Sequence, residues 1–133
     1  MMNGDPCQSS EAQVCTVLLI EDEVLIRFDA AEALREAGMC VIEAGNADEA
    51  MEHLEAGKSV DFVFTDIEMP GTMNGLAFCA AVERRFPRLK FLVTSGRASA
   101  DEAASTRSFI SKPYDPADVV AYIRAALAEQ PPD

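Results

Sequence analysis

The chain has 133 residues, of which 49% are hydrophobic, and a formal net charge of −12. That is long and apolar enough to bury one sizeable core and excludes a disordered tail, while the acidic balance argues against a general nucleic-acid surface, which needs Lys and Arg against phosphate. Four cysteines (Cys7, Cys15, Cys40, Cys79) without a C-x-x-C pair and a single histidine, His53, give little support for zinc.

Cys40 and Cys79 lie in apolar segments and read as core fillers. Met1 to Ser10 lacks the apolar centre of a signal peptide, and no run approaches the ~18–20 apolar residues of a membrane span. The expectation is a cytoplasmic protein with neither membrane nor nucleic acid as partner.

In chain order, residues 1–14 read as a loose leader. Thr16 to Ile20 is an apolar strand ending in three acids, Glu21, Asp22 and Glu23. Val24 to Ala37 has helical spacing, with Val24, Leu25, Phe28, Ala31 and Leu34 on one side and Gly38 as terminator. Met39 to Ala44 is a second strand. Asn46 and Glu49 form a cap with its reciprocal partner, Ala50, Met51 and Leu54 make an apolar face, and Gly57 ends that helix. His53 reads as an exposed residue of this helix.

Within a strand at 61–66, a short apolar run, Phe62 to Phe64, leads to a single carboxylate, Asp66, with Pro70-Gly71 soon after. Such a run bounded by turn residues predicts a buried strand of a parallel sheet. Asn74-Gly75 opens a helix that runs through Phe86 and is stopped by Pro87. Leu89 to Thr94 is a fourth strand, followed by Ser95-Gly96 as a turn. A weaker helical stretch at 99–107 is rich in Ala and Ser. Ser108 to Ser111 is a fifth strand closed by Lys112-Pro113, Asp115 caps a last helix at 116–128, and 130–133 is a tail.

Five alternations of strand and helix predict an α/β fold with one domain over residues 15–129. The expected architecture is a flavodoxin-like (βα)5 three-layer sandwich whose parallel five-stranded sheet has strand order 2-1-3-4-5. No Gly-x-Gly-x-x-Gly or P-loop follows any strand, so nucleotide binding has no support. The order brings Glu21, Asp22, Asp66, Thr94-Ser95 and Lys112 to one edge. At ~4 Å two carboxylates repel by about 1 kcal/mol in water and about 4 at an effective dielectric of 20. A hard divalent cation compensates naturally, Mg²⁺ above all with Mn²⁺ as the alternative. Lys112 adds positive charge, so that Asp66 is suited to accept a phosphoryl group and Ser95 to bond the resulting phosphate.

Leu18-Leu19-Ile20-Glu21-Asp22, Thr65-Asp66-Ile67-Glu68-Met69-Pro70, Thr94-Ser95-Gly96 and Lys112-Pro113-Tyr114 resemble the signature of response-regulator receiver domains, in order and approximate spacing over residues 16–128. The resemblance implies that Asp66 is the phospho-acceptor, that Glu21, Asp22, Asp66 and the backbone carbonyl of Glu68 hold Mg²⁺, and that Lys112 pairs with the phosphate. It implies Ser95 as the hydroxyl that follows the phosphate, Phe109 as the aromatic that turns with it, and a cis bond between Lys112 and Pro113. Glu68 and Arg97, each two residues past a site residue, are expected at the rim where hydrolytic water enters.

Three departures from the family pattern stand out. Glu21 occupies a place where Asp is commoner, the loop at Gly71-Thr72-Met73 is one residue longer, and Ser99 to Ser108 is shorter than the usual fourth helix and loop.

The reading is a stand-alone receiver that takes phosphate from a histidine kinase or histidine phosphotransfer protein and signals to a further protein by contact, without being a turnover enzyme. The 99–108 segment, with helix 116–128, is the expected output surface. A phosphate sink is a variant of this reading. An aspartyl-nucleophile, Mg²⁺-dependent phosphatase is the rival, but it would carry Asp-x-Asp on the first strand, where this chain has Glu21-Asp22-Glu23. A receiver-like module that takes no phosphate is opposed by the intact Asp66 and Lys112.

Overall fold

In the computed structural model, described over residues 15–68, 73–96 and 108–129, five parallel strands alternate with four helices among the described residues. They are β1 (Thr16–Ile20), α1 (Val24–Glu36), β2 (Cys40–Ala44), α2 (Ala47–Glu55), β3 (Phe62–Asp66), α3 (Gly75–Arg85), β4 (Lys90–Ser95), β5 (Phe109–Ser111) and α4 (Pro116–Ala128). The sheet order is β2-β1-β3-β4-β5, as the alternation predicts. The helical stretch expected at 99–107, Arg97, and Gly71-Thr72 of the lengthened loop lie outside the described residues.

Side-chain alternation divides the core in two. Leu18, Ile20, Val63, Phe91 and Val93 pack against α2 and α3 through Met51, Leu54, Phe78 and Val82. Val17, Leu19, Phe62, Phe64 and Leu92 pack against α1 and α4 through Ala31, Leu34, Val119 and Ile123. Both faces of β3 are covered, and all five of its residues are buried. Each fully buried Leu, Ile or Phe contributes roughly 1.5–3 kcal/mol of transfer free energy.

The helix ends are set locally. Asn46 caps α2 by accepting from Glu49 N–H at 2.8 Å, while the Glu49 carboxylate accepts from Gly45 N–H, one residue earlier than the Asn46 amide of a standard capping box. After α1, Gly38 sits at φ +91 and donates to Arg35 O, and Met39 donates to Leu34 O, closing the helix in a Schellman motif.

Three sequence readings need correction. The inward stripe of α1 is Arg27, Ala30, Ala31 and Leu34, spaced i, i+3, i+4, i+7. Leu25 and Phe28 lie off that stripe, and Val24, at its spacing but the first residue of the helix, stands beyond the covered part; the three are 79%, 57% and 64% exposed. The charge of Arg27 hid its inward place. Cys79 fills the core, fully buried, but Cys40, although buried, is bonded in a disulfide. His53 is half-buried rather than exposed, with Lys58 Nζ 2.9 Å from its Nδ1.

Candidate functional site

The buried strand β3 delivers Asp66 to the C-terminal edge of the sheet. This edge is where open α/β sheets place their ligands. The Asp66 carboxylate is buried and fully engaged: Oδ1 accepts from the Glu68 backbone N–H at 2.9 Å, and Oδ2 accepts from Lys112 Nζ at 2.6 Å. Lys112 follows β5, held there by its own N–H donating to Ser95 O, and the Lys112–Pro113 bond is cis.

Glu21, immediately after β1, is held by three hydrogen bonds and one ion pair. Its N–H donates to Ala44 O at 3.1 Å, its carbonyl accepts from Arg27 Nη1 at 2.8 Å, and its Oε2 accepts from Glu23 N–H at 3.0 Å. Its Oε1 lies 2.8 Å from Lys112 Nζ. The extra methylene of Glu relative to Asp thus ends on the lysine. Asp22, the next residue, is exposed.

Burial pushes the Glu21 carboxyl above its ordinary range, helped by the negative charge of Asp66 and opposed by Lys112 and the Glu23 amide. Burial alone would lower the Lys112 pKa; its bonds to Asp66 and Glu21 outweigh burial and hold the ammonium above its usual range. Beside the site, Tyr114 packs edge-on against Phe64 with ring centroids 5.4 Å apart, and burial pushes its hydroxyl up to about 12.

One oxygen from each of Glu21, Asp22 and Asp66 lies within 4.8 Å of the others. Three carboxylates against one ammonium leave the cluster formally negative. The donors are hard oxygens, and one of the three residues stays open to solvent. That set fits a hydrated divalent cation such as Mg²⁺, which keeps several waters.

Two further residues shape the site. At Gly75, the first residue of α3, an added Cβ would lie 2.3 Å from Asp66 O and 2.5 Å from Ile67 Cα, so only glycine lets α3 start this close to β3. A glycine just inside a helix start was the available signal, since it costs helix propensity without such a reason.

The second is Thr94. β4 runs one residue further than expected, through Ser95. Thr94 is the register partner of Asp66, and by alternation with Leu92 it faces the same side as Phe64 and Asp66. Its buried Oγ1 has no hydrogen-bond partner. Ser95 falls with Phe91 and Val93 on the opposite face, as does the half-buried Phe109, the partner of Val93. Thr94 and Ser95, on opposite faces because one residue along a strand changes the face, both stand at the C-terminal end of β4, beside Asp66 and Lys112 respectively.

Compared with known proteins, residues 17–124 match the family described as the response regulator receiver domain. The sensor kinase CckA of Brucella abortus is 32% identical over 121 residues, covering 86% of this chain and 13% of that protein. The transcriptional regulatory protein PdtaR of Mycobacterium tuberculosis is 33% identical over 132 residues, covering 96% of this chain and 63% of that protein. The chain thus spans only part of the length of either relative. The crystal structure of the receiver domain of NtrX from Brucella abortus superimposes with a TM-score of 0.78 at 28% identity, covering 86% of this chain and 99% of that one.

Proposed function

The chain belongs to the response regulator receiver family, and from that premise we propose that Asp66 takes a phosphoryl group from a phosphohistidine of a histidine kinase or phosphotransfer protein. One observation carries the reading: Lys112 Nζ bridges Asp66 at 2.6 Å and Glu21 at 2.8 Å, with the Asp22 carboxylate completing the acidic cluster.

An Asp66 oxygen attacks phosphorus in line as the N–P bond to histidine breaks, giving an acyl phosphate and a free imidazole. Lys112, already on that carboxylate, follows the charge onto the transferred group. The Glu68 N–H stays on the other oxygen and fixes its direction. Of the two hydroxyls at the end of β4, Thr94 Oγ1, buried and unbonded on the Asp66 face, is the one proposed to bond the phosphate, with Ser95 the alternative. The carboxylates of Glu21, Asp22 and Asp66, with the Glu68 carbonyl, would hold Mg²⁺, or Mn²⁺ in its place, which when bound neutralises charge on the equatorial oxygens.

The acyl phosphate is proposed to hydrolyse at the same site, with Glu68 at its rim; Arg97, the other residue expected there, lies outside the described residues. Phe109 is the aromatic proposed to respond to the phosphate, and a further protein is proposed to read the state by contact. No enzyme family is indicated, and the proposed role is that of a phospho-acceptor rather than a turnover enzyme. The exposed Val24, Leu25 and Phe28 stand directly after the acidic residues, an apolar surface suited to a partner that presents its histidine there. No helix among the described residues is long and apolar enough to cross a membrane; a cytoplasmic place for the reaction is part of the proposal.

Incubation with Mg²⁺ and a small phosphodonor tests the proposal by intact mass. The wild type gains one labile phosphoryl group and Asp66→Asn gains none, because an amide is not a usable nucleophile. Equal, equally labile labelling of Asp66→Asn would place the chemistry elsewhere.

A further inference from the structure

Among the groups that hold Glu21, one comes from outside the acidic cluster. Arg27 stands in the inward stripe of α1 and divides its guanidinium between two strands. Its Nη1 donates to Glu21 O at 2.8 Å, beyond the end of β1, and its Nε pairs with Glu43 Oε1 at 3.1 Å on β2. Glu43 is gripped on its other oxygen by Arg35 Nη1 at 3.1 Å, and Arg35 Nη2 donates to Val41 O. The carboxylate of Glu43 thus clamps Arg27 from behind, and Arg35 closes the ion-pair chain at its outer end.

The accepting carbonyl belongs to the peptide unit that joins Glu21 to Asp22. That unit is planar, so fixing its oxygen fixes the plane and the start of Asp22. Glu21 has three other bonds to hold its side chain and amide. Asp22 is exposed, so the aim of its carboxylate depends on its backbone. The other end of the same residue pair is already anchored, by Glu21 N–H on Ala44 O.

We infer that Arg27 is a positioning residue for the cation site: by anchoring the Glu21–Asp22 peptide it sets the aim of the Asp22 carboxylate, and Glu43 holds Arg27 to that task. The inference rests on the metal reading given above. A guanidinium is required, because its planar fork serves the carbonyl and the carboxylate together, whereas an ammonium is a point donor.

Mg²⁺ titrations followed by backbone amide shifts, with thermal melts in the absence of metal, test this on the whole chain. Arg27→Ala should weaken Mg²⁺ about tenfold, the low end for residues that orient metal ligands. Arg27→Lys should recover little of it. Arg35→Ala breaks the same ion-pair chain without touching Glu21, so it should lower the melting temperature yet keep Mg²⁺ affinity within about twofold of wild type. In metal-free protein the Asp22 amide resonance should move in Arg27→Ala and stay in Arg35→Ala. Unchanged affinity in Arg27→Ala, or equal losses in Arg27→Ala and Arg35→Ala, would overturn the inference and leave the metal reading standing. A wild-type protein that shows no Mg²⁺ response overturns the metal reading and this inference with it.

Discussion

The two halves of the acidic site are built on opposite plans. The inner half, Glu21, Asp66 and Lys112, is buried, and each carboxylate oxygen in it already has a partner. The outer half, Asp22 and the first turn of α1, is open, with Val24, Leu25 and Phe28 facing solvent. The inner half holds its charges in fixed places before any ligand arrives, which is what electrostatic stabilisation of transferring phosphate requires. The outer half is open on the side where the proposed cation and phosphohistidine would approach. Two adjacent residues, Glu21 and Asp22, mark the boundary.

Lys112→Ala removes the inner half's only cation and gives the largest expected effect. Labelling by a phosphodonor should slow by at least ~100-fold, the usual cost of losing one preorganised donor, while circular dichroism shows the chain still folded. A loss of less than about threefold would mean that the inner half is not preorganised for transfer. Gly75→Ala presses on the same half from below. With backbone in its way, the new methyl should destabilise the domain by ~1–3 kcal/mol in denaturant unfolding, as overpacking does. An unchanged midpoint would show that α3 and β3 are not in the close contact described.

Sequence reasoning reached the inner half well. Asp66, Glu21 and Lys112 each end an apolar run, and strand alternation alone orders those runs so that their ends meet. It did less well where the outcome depends on a single residue. The extension of β4 through Ser95 puts both hydroxyl residues, Thr94 and Ser95, on the strand and on opposite faces, and no turn signal distinguishes Thr94-Ser95-Gly96 ending one residue earlier or later. Arg27 was passed over because a charge in an apolar stripe reads as a break in the pattern, and its partner Glu43 is 16 residues away. The same misassigned stripe placed Val24, Leu25 and Phe28 inside, when they form the open face beside Asp22.

The outer half predicts a sharp contrast between neighbours. Asp22→Ala should weaken Mg²⁺ at least tenfold in an amide-shift titration, because it removes a ligand. Glu23→Ala should change it by less than about twofold, since Glu23 contributes its backbone N–H to Glu21 and not its side chain. Equal effects at the two positions would erase the boundary between the halves.

The smallest effect concerns the hydroxyl at the wall of the inner half. Thr94→Val keeps the shape and removes an unbonded buried oxygen, so the unphosphorylated protein should gain roughly 1 kcal/mol, or a few degrees in melting temperature. The same variant should change acyl-phosphate decay several-fold, more than Ser95→Ala does. The reverse ranking would return the role to Ser95.

Locating the phosphoryl group chemically is the most direct test of the account. After labelling with Mg²⁺ and a small phosphodonor, borohydride reduction converts an aspartyl phosphate into homoserine, which peptide mass mapping can place. The account predicts homoserine at position 66 and at no other acid of the cluster. Reduction at Asp22 or Glu21, or a labelled protein with Asp66 intact, would contradict it.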